Sequence, residues 1–142
     1  MVIEHFILAN NSSIDVNTNA LSVFGILDDI QIQAPPGVTL NLAFHALLIV
    51  KRETELGVLN SSFTMSAYAP NGAKIGQDVK MPVAMQAVHR RTRLRVITEI
   101  PITQSGNYRV RMVSSENEKI SSEVSLNIQI LPVSVPPPSS SH

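Results

Sequence analysis

The sequence predicts an all-β domain, a sandwich of antiparallel strands. Three observations lead there. Apolar residues recur at period two in segment after segment, and no apolar stripe of helical period persists along the chain. Clusters of Asn, Ser, Pro and Gly separate those segments at short intervals. Charged residues make up only 15% of the chain, against a usual ~25%. Ser, Thr, Asn and Gln must therefore cover much of the surface, which is the palette of strands and turns.

Taken in order, residues 2–9 are apolar and β-branched and form a first strand, closed by Asn10-Asn11-Ser12-Ser13 as a turn. After a second polar stretch, 15–19, residues 21–33 read as one strand in which Gly25 marks a bulge or a close backbone approach. Pro35-Pro36-Gly37 ends it. From Leu40, the residues Leu42, Phe44, Ala46, Leu48 and Val50 share a core face. Leu47 and Ile49, beyond His45, make the opposite face apolar too, so this strand is expected to be central, or covered at its far end by a loop or another subunit.

Residues 53–57 read as a loop in which Glu53 and Glu55 form exposed ion pairs beside Lys51 and Arg52. Phe63, Met65 and Ala67 belong to a strand ending at the turn Ala69-Pro70-Asn71-Gly72. A short strand follows from Ala73, and Pro82 marks residues 81–88 as an edge strand or a crossing loop. Leu94, Val96, Thr98, Ile100 and Ile102 form one stripe, and Tyr108, Val110 and Met112 face away from Arg109 and Arg111. Val124, Leu126, Ile128 and Ile130 mark a half-buried last strand after a turn at 114–119. Seven to nine short strands with such turns predict an immunoglobulin-like sandwich.

The domain boundaries follow. Residues 1–131 form the sandwich, and 132–142, rich in Pro and Ser, form a flexible or polyproline-like tail. Eleven basic and eleven acidic residues cancel, so no global field draws the chain to nucleic acid or an anionic membrane. Cysteine is absent, which removes thiol catalysis and fits a reducing compartment. The N-terminal segment carries Glu4 and His5 within its apolar run and reads as a strand, not a leader, so a cytoplasmic protein is expected.

Four segments together resemble a family of small bacterial β-sandwich proteins catalogued only as a domain of unknown function. They are residues 19–30 (Asn-Ala-Leu-Ser-Val-Phe-Gly-Ile-Leu-Asp-Asp-Ile), 53–57 (Glu-Thr-Glu-Leu-Gly), 69–72 (Ala-Pro-Asn-Gly) and 105–108 (Ser-Gly-Asn-Tyr). The resemblance implies the fold and a bacterial cytoplasmic setting, and no activity or cofactor. Ser105 to Tyr108 is also similar to the corner before a late strand of immunoglobulin-like domains, where the Tyr hydroxyl bonds to nearby backbone.

No residue pattern assigns a catalytic, cofactor-binding or metal-ligating role. Asp28 and Asp29 are adjacent, and strand neighbours point to opposite faces. His5, His45 and His89 lie in separate segments without a zinc-site spacing. There is no Gly-x-Ser-x-Gly elbow and no phosphate-binding Gly loop. Four Phe, two Tyr and no Trp leave little for stacking nucleobases or sugars, which argues against nucleic acid as partner.

The uneven feature is basic. Six of the eleven Lys and Arg residues fall between His89 and Arg111, with a single acid, Glu99. If Arg91, Arg93 and Arg95 share a face with Arg109 and Arg111 on the neighbouring strand, five guanidinium groups form an anion-attracting surface. The bland alternative is a solvated face that guards an edge strand. The expected function is a non-enzymatic protein-binding or scaffolding module, or a homo-oligomer. The alternative is an enzyme acting on a small ligand or through a metal, with His45, His89, Asp28 or Asp29 at one end of the sandwich.

Overall fold

Alternation at period two lets each strand bury one side, and two such sheets face each other over the buried sides. The computed structural model describes residues 1–52 and 57–133. Among the described residues the strands are β1 (Val2–Ile14), β2 (Leu21–Ile26), β3 (Asp29–Ala34), β4 (Leu40–Lys51), β5 (Leu59–Tyr68), β6 (Lys74–Met85), β7 (Arg91–Ile102), β8 (Gly106–Ser114) and β9 (Ser121–Pro132). A four-stranded sheet has the order β2-β1-β4-β7 and a five-stranded sheet the order β3-β9-β8-β5-β6. Pairing is antiparallel except between β3 and β9, which run parallel.

Phe44, Leu48 and Ile102 of the first sheet meet Phe63, Met85, Tyr108, Met112, Leu126 and Ile128 of the second, all fully buried. Each such apolar side chain contributes about 1.5–3 kcal/mol by leaving water. The β7 to β8 connection is an arch between sheets. Tyr108 Oη donates to Gln104 O at 2.8 Å and accepts from the Gln104 amide, which satisfies a polar group inside the core.

Four boundaries differ from the sequence expectation. Residues 10–13 are strand, because Asn11 pairs with Phe24 and Ser13 with Ser22. The turn comes at 15–19, where Asp15 Oδ1 accepts from the amides of Asn17 and Thr18 and Asn19 takes φ 58°. Residues 21–33 are two strands in different sheets. Leu27 N donates to Leu8 O in one sheet, while Asp28 O accepts from Asn127 N in the other, so the chain crosses between them.

Gly25, at φ 65°, precedes that crossing, and a Cβ there would stand 3.1 Å from Asn10 Cβ. Residues 81–85 belong to β6, a long strand at the sheet edge, where Pro82 lies opposite Ser62. Pro132, expected in the tail, still lies opposite Ala34 in the ladder, and Val133 N donates to Ala34 O. The rest of the tail and the ion pairs expected of Glu53 and Glu55 lie outside the described residues.

β4 is central, between β1 and β7, and its second face is covered as well. Leu47 on that face is 2% exposed and its neighbour Ala9 0%. The cover is the β1–β2 hairpin. β1 stays beside β4 only as far as Ala9 opposite His45, then continues with β2 alone. Ser12 Oγ and His45 Nδ1 share a 2.7 Å hydrogen bond, and the carbonyl of Asn19, in the hairpin turn, accepts from Arg93. Arg93 stands in the same cross-strand row as His5. Ile14 is nine positions beyond His5, about 30 Å of straight strand. The turn reaches Arg93 because the hairpin bends back over the outer face of its own sheet.

Candidate functional site

Arg91, Arg93 and Arg95 alternate along β7 and project from the outer face of the four-stranded sheet. Their partners across the ladder on β4 are Lys51, Ile49 and Leu47. β7 is the edge of this sheet, so the three guanidinium groups line its border.

β1 completes the site through an irregularity. Its register against β4 shifts between Ile3 and His5. Ile3 lies opposite Val50 on the core side, whereas His5 lies opposite Ile49 on the outer side, so Glu4 is the extra residue of a bulge. Without it, alternation would turn His5 into the core. With it, Glu4 and His5 both reach the outer face.

These elements surround an open depression of about 780 Å³. Ile49 supplies an apolar patch of the lining, Glu4 and His5 come from β1, Arg91 and Arg93 from β7, and His89 from the β6–β7 loop. Asn19 of the folded-back hairpin lies across from them. Arg91 Nε donates to Glu4 Oε2 at 2.9 Å, and Glu4 Oε1 is 3.9 Å from His5 Nε2. The Arg91 hydrogen bond holds the Glu4 carboxyl below its ordinary range. Arg93 is bound differently: its donor to Asn19 O, at 2.7 Å, meets a neutral carbonyl. Its charge is left without a matching anion in that contact.

Arg52, expected beside Glu53 and Glu55 in exposed ion pairs, is instead a buried residue bonded to backbone carbonyls. It is 4% exposed, and its guanidinium donates to the carbonyls of His89, Gly57 and Gln86. Arg52 N also donates to Arg90 O. One buried fork therefore fixes the β6–β7 loop, and with it His89, against the end of β4. Its signal was faint: a single Arg after an apolar strand reads as surface.

Arg109 and Arg111 do not join the other three. The expectation of one five-guanidinium surface placed β7 beside β8, but the arch between them changes sheets. Arg109 and Arg111 project from the outer side of the opposite sheet. Arg109 lies 5.5 Å over the Tyr68 ring and 3.5 Å from Glu123. On β5 and β6 of that same sheet, Ser66 donates to Asp78, which also pairs with Lys74 at 3.1 Å. Arg109 and Lys74 are thus paired with acids of their own sheet.

The residues suggested for an enzyme site are dispersed. His45 is bonded to Ser12 in the middle of the sheet, His89 lies at the depression, and Asp28 and Asp29 stand at the crossing into the other sheet. Among the described residues no three His, Asp or Glu side chains gather as metal ligands, and no helix is long and apolar enough to cross a membrane. No family model matches the chain, and no curated protein is significantly similar to it.

Proposed function

We propose that this chain is a non-enzymatic binding module that recognises an anionic segment of a partner protein on the outer face of β7. The observation that carries the reading is the alternation of Arg91, Arg93 and Arg95 along an edge strand beside an open depression whose lining, among the described residues, holds one acid, Glu4. Ile97 continues the same stripe at 62% exposure and adds apolar contact next to the cations. Guanidinium groups with an adjacent apolar patch suit a segment that carries both acids and aliphatic residues.

The immunoglobulin-like arrangement belongs to this proposal. It is supported by the order β3-β9-β8-β5-β6, by the parallel β3–β9 pair at the sheet edge and by the Tyr108 hydroxyl bond at the β7–β8 arch. Membership in the bacterial family that the sequence resembles, and a cytoplasmic setting, are parts of the same proposal.

The test is an amide NMR titration with a short Glu- and Leu-containing peptide. Shifts confined to β7, β4 and the depression, lost in Arg93→Glu and Arg95→Glu and kept in Arg111→Glu, support the reading. Equal losses from both faces would reduce it to unspecific charge attraction. Native mass spectrometry run alongside reports whether a second copy of the chain occupies the surface instead.

A further inference from the structure

We infer that the depression between the hairpin turn and β7 is a site for a phosphomonoester group, with Glu4 as its built-in competitor. This rests on the reading of the β7 face as the binding surface and names the chemical group that face would take.

Donors converge on one space from three separate elements. Arg91 and Arg93 come from β7, the His5 ring from the β1 bulge and the His89 ring from a loop fixed by buried Arg52. Among the described residues, the charged groups beside them include Lys51, opposite Arg91 on β4, Arg90 and Arg95 on either side along the chain, and Glu4. Two imidazoles and two guanidinium groups offer more donors than a single carboxylate accepts, while a phosphomonoester presents three terminal oxygens and close to two charges.

Glu4 decides between these ligands. Its carboxylate already holds Arg91 Nε at 2.9 Å. A partner's carboxylate would have to displace an equivalent group that is attached to the same molecule and therefore present at high effective concentration. A dianion has the greater charge and more acceptor atoms, and it can bind Arg93 before it competes for Arg91. The bulge that turns Glu4 outward thus disfavours a monocarboxylate at Arg91 while leaving a phosphoryl group able to enter, and Arg95, outside the lining of the depression, remains for the carboxylates of the same partner segment.

The experiment compares three probes by NMR titration and calorimetry at pH 7.5 and fixed salt: inorganic phosphate, a phosphoserine peptide and its unphosphorylated counterpart. The phosphopeptide should bind at least ~10-fold more tightly than its counterpart. Glu4→Gln should tighten phosphate binding about fivefold by removing one nearby like charge, and Arg93→Gln should weaken it about tenfold. Arg111→Gln, on the other sheet, should change nothing.

If both peptides bind alike on the β7 face, the phosphoryl site is wrong and the binding-module reading stands. If no probe perturbs this face, both fail. If phosphate alone binds and the phosphopeptide does not, the site serves a small phosphorylated molecule, which keeps this inference and overturns the protein-partner reading. An unchanged affinity in Glu4→Gln would remove Glu4 as competitor.

Discussion

Ser12 and His45 are 33 positions apart in the chain and share a 2.7 Å hydrogen bond across the outer face of the four-stranded sheet. The bond pins the β1–β2 hairpin where β1 leaves β4. It lies beside Leu47 and Ala9, which the hairpin keeps from water.

Ser12→Ala removes that bond and leaves the His45 nitrogen facing an apolar methyl. The expected cost is about 1 kcal/mol in a urea titration. Hydrogen exchange gives the sharper signature: β2 amides should exchange faster while those of β8 and β9 stay protected. Uniform loss of protection would mean that the hairpin is no separate unit.

Glu4 ties stability to pH. Its folded carboxyl titrates below the ordinary value of 4.5 because of the hydrogen bond from Arg91. A depressed folded value means that the stabilisation is complete well above 4.5 and is lost as pH falls through the folded value. The midpoint difference between the wild type and Glu4→Gln should therefore shrink below about pH 4.5. A difference that stays constant from pH 7 to 3 would show that the carboxylate adds nothing. Asp15 and Asp78, also depressed by their hydrogen bonds, act in the same direction in both proteins and cancel in the comparison.

Arg52→Met should be among the most damaging single changes outside the apolar core. Three carbonyls lose a charged donor at a buried position, at roughly 2–4 kcal/mol in total. Lys cannot rescue it, since one ammonium does not reproduce a planar fork with three aligned donors. The loop variant His89→Ala, which leaves the His89 carbonyl in place, should stay within ~0.5 kcal/mol of wild type. Thermal unfolding of the three proteins side by side distinguishes these outcomes.

Tyr108→Phe keeps the ring in its pocket and removes only the hydroxyl that bonds to Gln104. Tyr108 is 1% exposed, so the Gln104 carbonyl loses the partner it has on the core side. The loss should be about 1–2 kcal/mol, with the fold unchanged by circular dichroism. A neutral result would mean that water replaces the hydroxyl.

The strands were legible because alternation is a local property: Phe44 and Leu48 must share a side whatever the fold around them. Legibility failed where a distant partner overruled a local preference. Residues 10–13 carry turn formers yet extend because β2 lies beside them. Residues 21–33 read as continuous because a change of sheet leaves no mark in the hydrophobic pattern. Glu4 and His5 gave no signal, since a bulge depends on the register against β4 and not on either residue type.

The same division separates the two halves of the basic stretch. Sequence alone determined that Arg91, Arg93 and Arg95 share one side, because they occupy alternate positions of a single strand. It equally determined that Arg109 and Arg111 oppose Tyr108. Only the tertiary structure decided that the two groups stand on opposite sheets, and that Glu4, His5, Asn19 and His89 gather beside the first group. The physical reason is range: side-chain direction follows from neighbouring dihedrals, whereas the meeting of strands depends on where arches cross and hairpins fold, which is set by burial of the whole core.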